Sequence, residues 1–239
     1  MHRLSAGIIT LCLISTPASA RTLSLTGHFM QGGLITGQTN PGAKVSLDGK
    51  KLRVSPDGLF VFGLGRNAES EVVIKTKLPS GEIYLENFEI EKRKYRIQRI
   101  NGLPKKMVTP SPETMDRIRR EGKAIRSARA VFTMATHFRA GFIWPSKGQI
   151  SGVYGSQRIL NGESRQPHLG VDIAAPKGTP VLASAAGKVT LAEMDLYFTG
   201  GTIIIEHGHG LSTVYSHLSE IEVRKGDSIR QGGKIGAIG

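Results

Sequence analysis

The sequence predicts a mainly β protein in three successive parts. These are a small β-sandwich-like domain over residues 21–91, a basic helical linker over 92–140, and a second β domain over 141–239. Three observations carry this reading. Short alternating or β-branched runs recur between turn residues, in a chain with 30 Gly and only 6% aromatics. A stretch after Pro110 has apolar residues at helical spacing, preceded by capping signals. Charge gathers in the middle: Lys92–Arg129 holds 13 Lys/Arg against 3 Asp/Glu, whereas Gly141–Gly239 holds 9 against 8. The length of 239 residues and the 39% hydrophobic content are enough for one large or two modest cores.

Residues 1–20 are expected to be a cleaved secretory signal. Arg3 supplies the basic start, an apolar run extends from Ala6 to Ile14, and Ala18-Ser19-Ala20 is a small-x-small cleavage site. The apolar run is too short to span a bilayer. The remaining chain would carry a charge of +12 and no transmembrane segment. The one cysteine of the 239 residues, Cys12, falls inside the signal and follows Leu11, where a lipid anchor would need a small residue. Disulfides and thiol chemistry are thereby excluded from the mature chain. The expected location is outside the cytoplasm, with the periplasm favoured over full secretion.

In the first part, VSLDGKKLRV reads as two strands about an Asp48-Gly49 turn, and SPDGLFVFGLG as a second Asp-Gly turn and another strand. EVVIKTKLPSGEIYLENFEI adds two strands joined by Pro79-Ser80-Gly81. Pro41–Gly63 resembles, over a short stretch, the Ig-like or carboxypeptidase-regulatory-like modules of secreted proteins. No chemistry is indicated here, and His28 reads as structural or exposed.

Residues 92–110 form a basic, Pro-containing connector, and the helix is expected to follow. Ser111 can cap it, Pro112 suits its first position, and Glu113 and Asp116 fall in the first turn. Met115, Ile118, Ile125 and Phe132 share one face, with Arg117, Arg119, Arg120, Lys123 and Arg126 on the remainder. Such a helix packs its apolar face on a neighbouring domain. Its basic face, with the rest of 92–129, is also suited to an anionic cell-envelope surface. Nucleic acid is excluded as a partner, because the chain is exported and only Tyr95 and Phe132 could stack on bases.

Four of the seven histidines, His168, His207, His209 and His217, fall in one 50-residue window that also contains Asp172. Histidine and carboxylate together form the ligand set of a catalytic zinc site. Four residues along a straight strand span about 13 Å, too far for one ion. His168 and Asp172 can therefore share a metal only if the backbone bends. Gly170 is the candidate for that bend, with His168 on a loop and Asp172 entering a strand. His-x3-Asp by itself is a weak signal.

Beyond spacing, GVYGSQR, HLGVDIAAPKGTPVLASAAGKV and GGTIIIEHGHGLSTVYSHLSEIEVRKGDSIRQGGKIGAIG together resemble the lysostaphin/LytM-type zinc metalloendopeptidases, in order and in spacing, from about Ile143 onward. The resemblance implies a compact antiparallel β fold with a groove, and hydrolysis of peptide bonds in bacterial peptidoglycan. It implies that His168 and Asp172 are two zinc ligands, and that His217, in YSHLS, is a catalytic histidine. His207 falls where the family commonly has a groove histidine that is not a ligand, and His209 reads as a loop residue. The family pattern continues into a Gly/Thr-rich turn and a His-x-His pair shortly beyond Gly239. A 239-residue chain without that pair is expected to hold zinc weakly and to hydrolyse little. The alternative implied function is a non-catalytic LytM-type domain that binds peptidoglycan or activates a cell-wall amidase. A purely structural, adhesin-like protein accounts for the first domain but not for the histidines.

Overall fold

The computed structural model describes residues 23–102 and 111–239. The expected signal and the connector segment 103–110 lie outside the described residues.

The first part is a two-sheet sandwich. Strands β1 (Leu23–Gly27), β2 (Leu34–Thr39), β3 (Lys44–Leu47), β4 (Lys50–Lys51), β5 (Leu59–Gly63), β6 (Glu71–Lys77) and β7 (Ile83–Glu89) divide into sheets ordered β1-β2-β5 and β4-β3-β6-β7. Alternation dictates the packing. In β6, Val72, Ile74 and Thr76 are buried while Glu71, Lys75 and Lys77 face water. Ile35, Phe60 and Phe62 from one sheet meet Val45, Val72 and Ile74 from the other in a single core. The Asp48-Gly49 turn joins β3 to β4 with positive φ at both residues, the conformation that an Asp-Gly hairpin favours.

The connector does more than link. Strand β8 (Ile97–Ile100) runs parallel to β10 (Gln157–Leu160), which in turn pairs with β11 (Glu163–Ser164). Arg66 donates from Nε to the carbonyl of Gly155 at 2.9 Å, and its guanidinium lies over the Tyr95 ring at 4.2 Å. Helix α1 spans Pro112–Arg129, and Ser111 Oγ accepts from the Thr114 amide, as the capping signal predicts. Its predicted apolar stripe is shorter than expected, because the helix ends at Arg129 and Phe132 lies beyond it. The chain is drawn away there: Thr133 donates its amide and hydroxyl to the buried Glu206 carboxylate, and its carbonyl accepts from the His209 amide.

The second β region holds β9 (Gln149–Gly152), paired with β12 (Asp172–Ala174), and a six-stranded sheet. That sheet comprises β13 (Pro180–Leu182), β14 (Gly187–Leu196), β15 (Gly200–Glu206), β16 (Ser212–Ile221), β17 (Ser228–Ile229) and β18 (Lys234–Ile238), in the order β13-β18-β16-β15-β14-β17. All its pairings are antiparallel. The run Ile203-Ile204-Ile205 is fully buried because both faces of β15 are covered. Ile203 and Ile205 join Val189, Tyr215, Leu218 and Ile235 on one side. Ile204 joins Leu191, Leu196, Ala128 and Ile125 on the other, where α1 lies. The helix therefore does pack its apolar side on the neighbouring sheet.

Candidate functional site

His168 sits on the loop before β12, and Asp172 is the first residue of that strand. The bend between them brings His168 Nε2 to 3.0 Å from Asp172 Oδ1. The bend expected at Gly170 does not require glycine: its φ is not positive, and a Cβ there would meet nothing within 4 Å. The glycine that matters is Gly152, across the β9–β12 pairing from Asp172. A Cβ at Gly152 would fall 2.0 Å from Asp172 Oδ2, so the carboxylate occupies space that any side chain would take. The ladder shifts register between Asp172 and Ile173, where β9 carries one extra residue, Ser151, in a bulge.

The ring of His168 is oriented from behind. Its Nδ1 lies 3.3 Å from the Val153 carbonyl, which accepts only if Nδ1 carries the proton. In the neutral imidazole, Nε2 then presents a lone pair to a carboxylate oxygen. Two lone pairs 3.0 Å apart repel unless a proton or a cation lies between them. Ligands at 2.0–2.1 Å on a tetrahedral metal stand about 3.3 Å apart, close to the separation found here. The backbone carbonyl behind the ring is the usual outer partner of a metal-binding histidine. The pair thus fits two corners of a metal site. Among the described residues, no group of three or more His, Cys, Asp or Glu side chains gathers to hold a metal.

His217 lies on β16 with its side chain exposed and φ of 59°. Between the pairs Gly201–Leu218 and Ile203–Tyr215, β16 carries one extra residue. His217 therefore stands in a bulge, its amide donating to the Thr199 carbonyl at 2.8 Å and its carbonyl accepting from Gly239. A non-glycine residue held at positive φ in a sheet is uncommon, and such outliers gather at functional positions. His207 is fully buried. Its Nδ1 lies 2.6 Å from the Ala186 carbonyl and its Nε2 2.8 Å from Thr213 Oγ1, so both ring nitrogens are used within the fold. Burial pushes its pKa below the usual imidazole value. His209 occupies the β15–β16 turn, packed on Phe132 and Phe138. Burial lowers its pKa as well.

His168 and Asp172 open into a groove of about 860 Å³. Its walls include Gly152 and Val153 from β9 and the following turn, with Gln98, Arg158 and Arg165 from the sheet built on β8, β10 and β11. Asp172 is the one acidic side chain among its lining residues, against Arg96, Arg158 and Arg165. Sequence reasoning missed Gly152 and this arginine wall. GVYG contains the glycine, but only the cross-strand register gives it a role.

Comparison with known proteins places this region. Residues 166–239 match Peptidase family M23. The chain is 39% identical over 95 residues to Peptidoglycan DD-endopeptidase ShyA of Vibrio cholerae, covering 39% of this chain and 22% of that protein. It is 32% identical over 135 residues to Cell division protein DipM of Caulobacter vibrioides, covering 55% of this chain and 20% of that one. The chain therefore spans about a fifth of the length of these two relatives. A crystal structure from Pseudomonas aeruginosa, described as a "putative peptidase M23", superposes with a TM-score of 0.64 at 25% identity, covering 87% of this chain and 82% of that one.

Proposed function

We propose that the protein is an exported zinc metalloendopeptidase that hydrolyses peptide bonds of bacterial peptidoglycan, a reading supported by the match of residues 166–239 to Peptidase family M23. The observation that carries the proposal is the His168–Asp172 pair, 3.0 Å apart at the mouth of a peptide-sized groove. His168 and Asp172 would hold the zinc, with the Val153 carbonyl fixing the imidazole tautomer and Gly152 leaving room for the carboxylate. A zinc ion held there would supply Lewis-acid polarisation of the scissile carbonyl and would make water more acidic. His217, held in the β16 bulge and not among the residues that line the groove, would move a proton at its imidazole, the role that its position in YSHLS implies. His207 and His209 take no part, since the interior of the fold holds both rings. An envelope location outside the cytoplasm follows from the proposed substrate, and the leader-like residues 1–20 support the periplasm.

The test is the release of soluble peptides from purified peptidoglycan by the full-length protein. Hydrolysis should stop with a chelator, return with Zn2+, and fall at least 100-fold in His217→Ala, the scale of lost acid–base catalysis. Tight peptidoglycan binding with no chelator-sensitive hydrolysis would instead favour a non-catalytic domain that binds the wall or activates an amidase.

A further inference from the structure

The wall facing the His168–Asp172 pair is unusual in its charge. In the parallel ladder, Arg158 of β10 stands beside Gln98 of β8. On the other side of β10, the Arg165 amide donates to the Arg158 carbonyl at 2.9 Å, which sets those two residues opposite each other across the β10–β11 edge. Gln98, Arg158 and Arg165 thus form one row across three adjacent chain segments, and all three line the groove that holds His168 and Asp172. Two like charges directly opposed on a sheet are destabilising, and nothing nearby neutralises them well. Among the described residues, Arg158 and Arg96 make no ion pair. Arg165 reaches only the exposed Glu163, at 3.4 Å. Arg165 Nε is buried without a hydrogen-bond partner among the described residues. A buried guanidinium donor left unpaired is costly unless a ligand completes it.

We propose that the Gln98–Arg158–Arg165 row is a carboxylate-reading subsite, so that the groove takes acidic peptides and seats one of their carboxylates on this row. The inference rests on the peptidase reading of the groove. The chemistry favours a carboxylate over a phosphate. A planar guanidinium pair matches a planar carboxylate through parallel N–H donors, and the Gln98 amide adds a neutral donor. A dianion would meet the Asp172 carboxylate within the same groove. The carboxylate can belong to a chain terminus or to an acidic side chain, and both present the same planar anion.

The experiment is binding of Ala-Glu-Lys-Ala-Ala, labelled at its N-terminus with an uncharged boron-dipyrromethene dye, to the full chain, followed by anisotropy with and without a chelator. Four forms are compared: free acid, C-terminal amide, Gln in place of Glu, and both changes together. The free acid is expected to bind about tenfold or more tightly than the doubly neutral peptide, the scale of one charge-assisted contact. Whichever single change loses that factor identifies the terminus or the side chain as the source. Arg158→Gln and Arg165→Gln are expected to erase the preference, and Arg158→Lys to keep part of it. The doubly neutral peptide should bind wild type and variants alike, showing that the groove survives the substitutions. Equal binding of all four peptides to wild type would overturn the carboxylate subsite while leaving a peptide groove. A preference that disappears with the chelator and ignores Arg158→Gln would also overturn it, because the metal would then be the reader. Absence of binding by every peptide would overturn both this subsite and the peptidase reading on which it rests.

Discussion

Replacing Gly152 with alanine separates the metal pair from the stability of the fold. The new Cβ would lie 2.0 Å from Asp172 Oδ2, 2.7 Å from Cγ and 3.0 Å from the Asp172 Cβ. Ordinary contact begins near 3.4 Å, so the carboxylate must retreat by more than an ångström. Rotation of the carboxylate alone is not enough, because the Asp172 Cβ is crowded too. Metal–ligand distances tolerate only about 0.2 Å, and the retreat therefore removes the pairing with His168 Nε2. The cost to folding is modest: Asp172 is 55% exposed and its carboxylate can swing into water, the two strands then need give only a few tenths of an ångström at the Asp172 Cβ, and the φ of Gly152 lies outside the left-handed range. The expected outcome is zinc affinity weakened about 10–100-fold, the usual cost of disturbing a ligand's support. The metal-free unfolding free energy should stay within about 0.5 kcal/mol of wild type. Competition against a chromophoric chelator reads the first quantity and urea denaturation the second. Gly170→Ala is the control, since nothing lies within 4 Å of its Cβ, and it should bind zinc as wild type does. If Gly152→Ala keeps wild-type affinity while Asp172→Asn loses it, the steric argument is wrong.

Two further predictions concern the scaffold. Burial lowers the His207 and His209 pKa values, so the fold favours their neutral forms and the unfolded chain binds more protons in acid. Their contribution is present above the ordinary imidazole pKa of about 6.5 and is lost as pH falls toward the folded values. The urea midpoint should therefore drop between about pH 7.5 and about pH 5, less steeply in His207→Gln, and a parallel pH profile in that variant would count against the assignment. Ile204→Ala opens a hole between β15 and α1 and should cost about 2–5 kcal/mol, whereas a loss under about 0.5 kcal/mol would mean that the helix does not seal that face.

Local chemistry made much of this molecule legible. Asp48-Gly49, Ser111 with Pro112, and the alternation in β6 each specify their element through contacts within a few residues. The His168–Asp172 bend was also readable, because a straight strand cannot bring the two together. Long-range pairing was not. IQRI at Ile97–Ile100 carries no alternating apolar pattern, and its role as a strand comes from β10, some sixty residues away. Gly170 drew attention because it lies between the two candidate ligands. Gly152 matters because cross-strand register sets it against the carboxylate, and register is not visible in either segment alone. Phe132 continues the helical spacing on paper, but the buried Glu206 captures Thr133 and ends the helix first.

The most direct measurement is the zinc K-edge absorption spectrum of the full chain loaded with Zn2+, taken for wild type, His168→Ala and Asp172→Asn. Wild type is expected to show a nitrogen and oxygen shell at about 2.0–2.1 Å. His168→Ala should lose one imidazole from the scattering pattern, and both variants should hold less zinc. Spectra and zinc content unchanged by both substitutions would place the metal elsewhere and contradict the central claim.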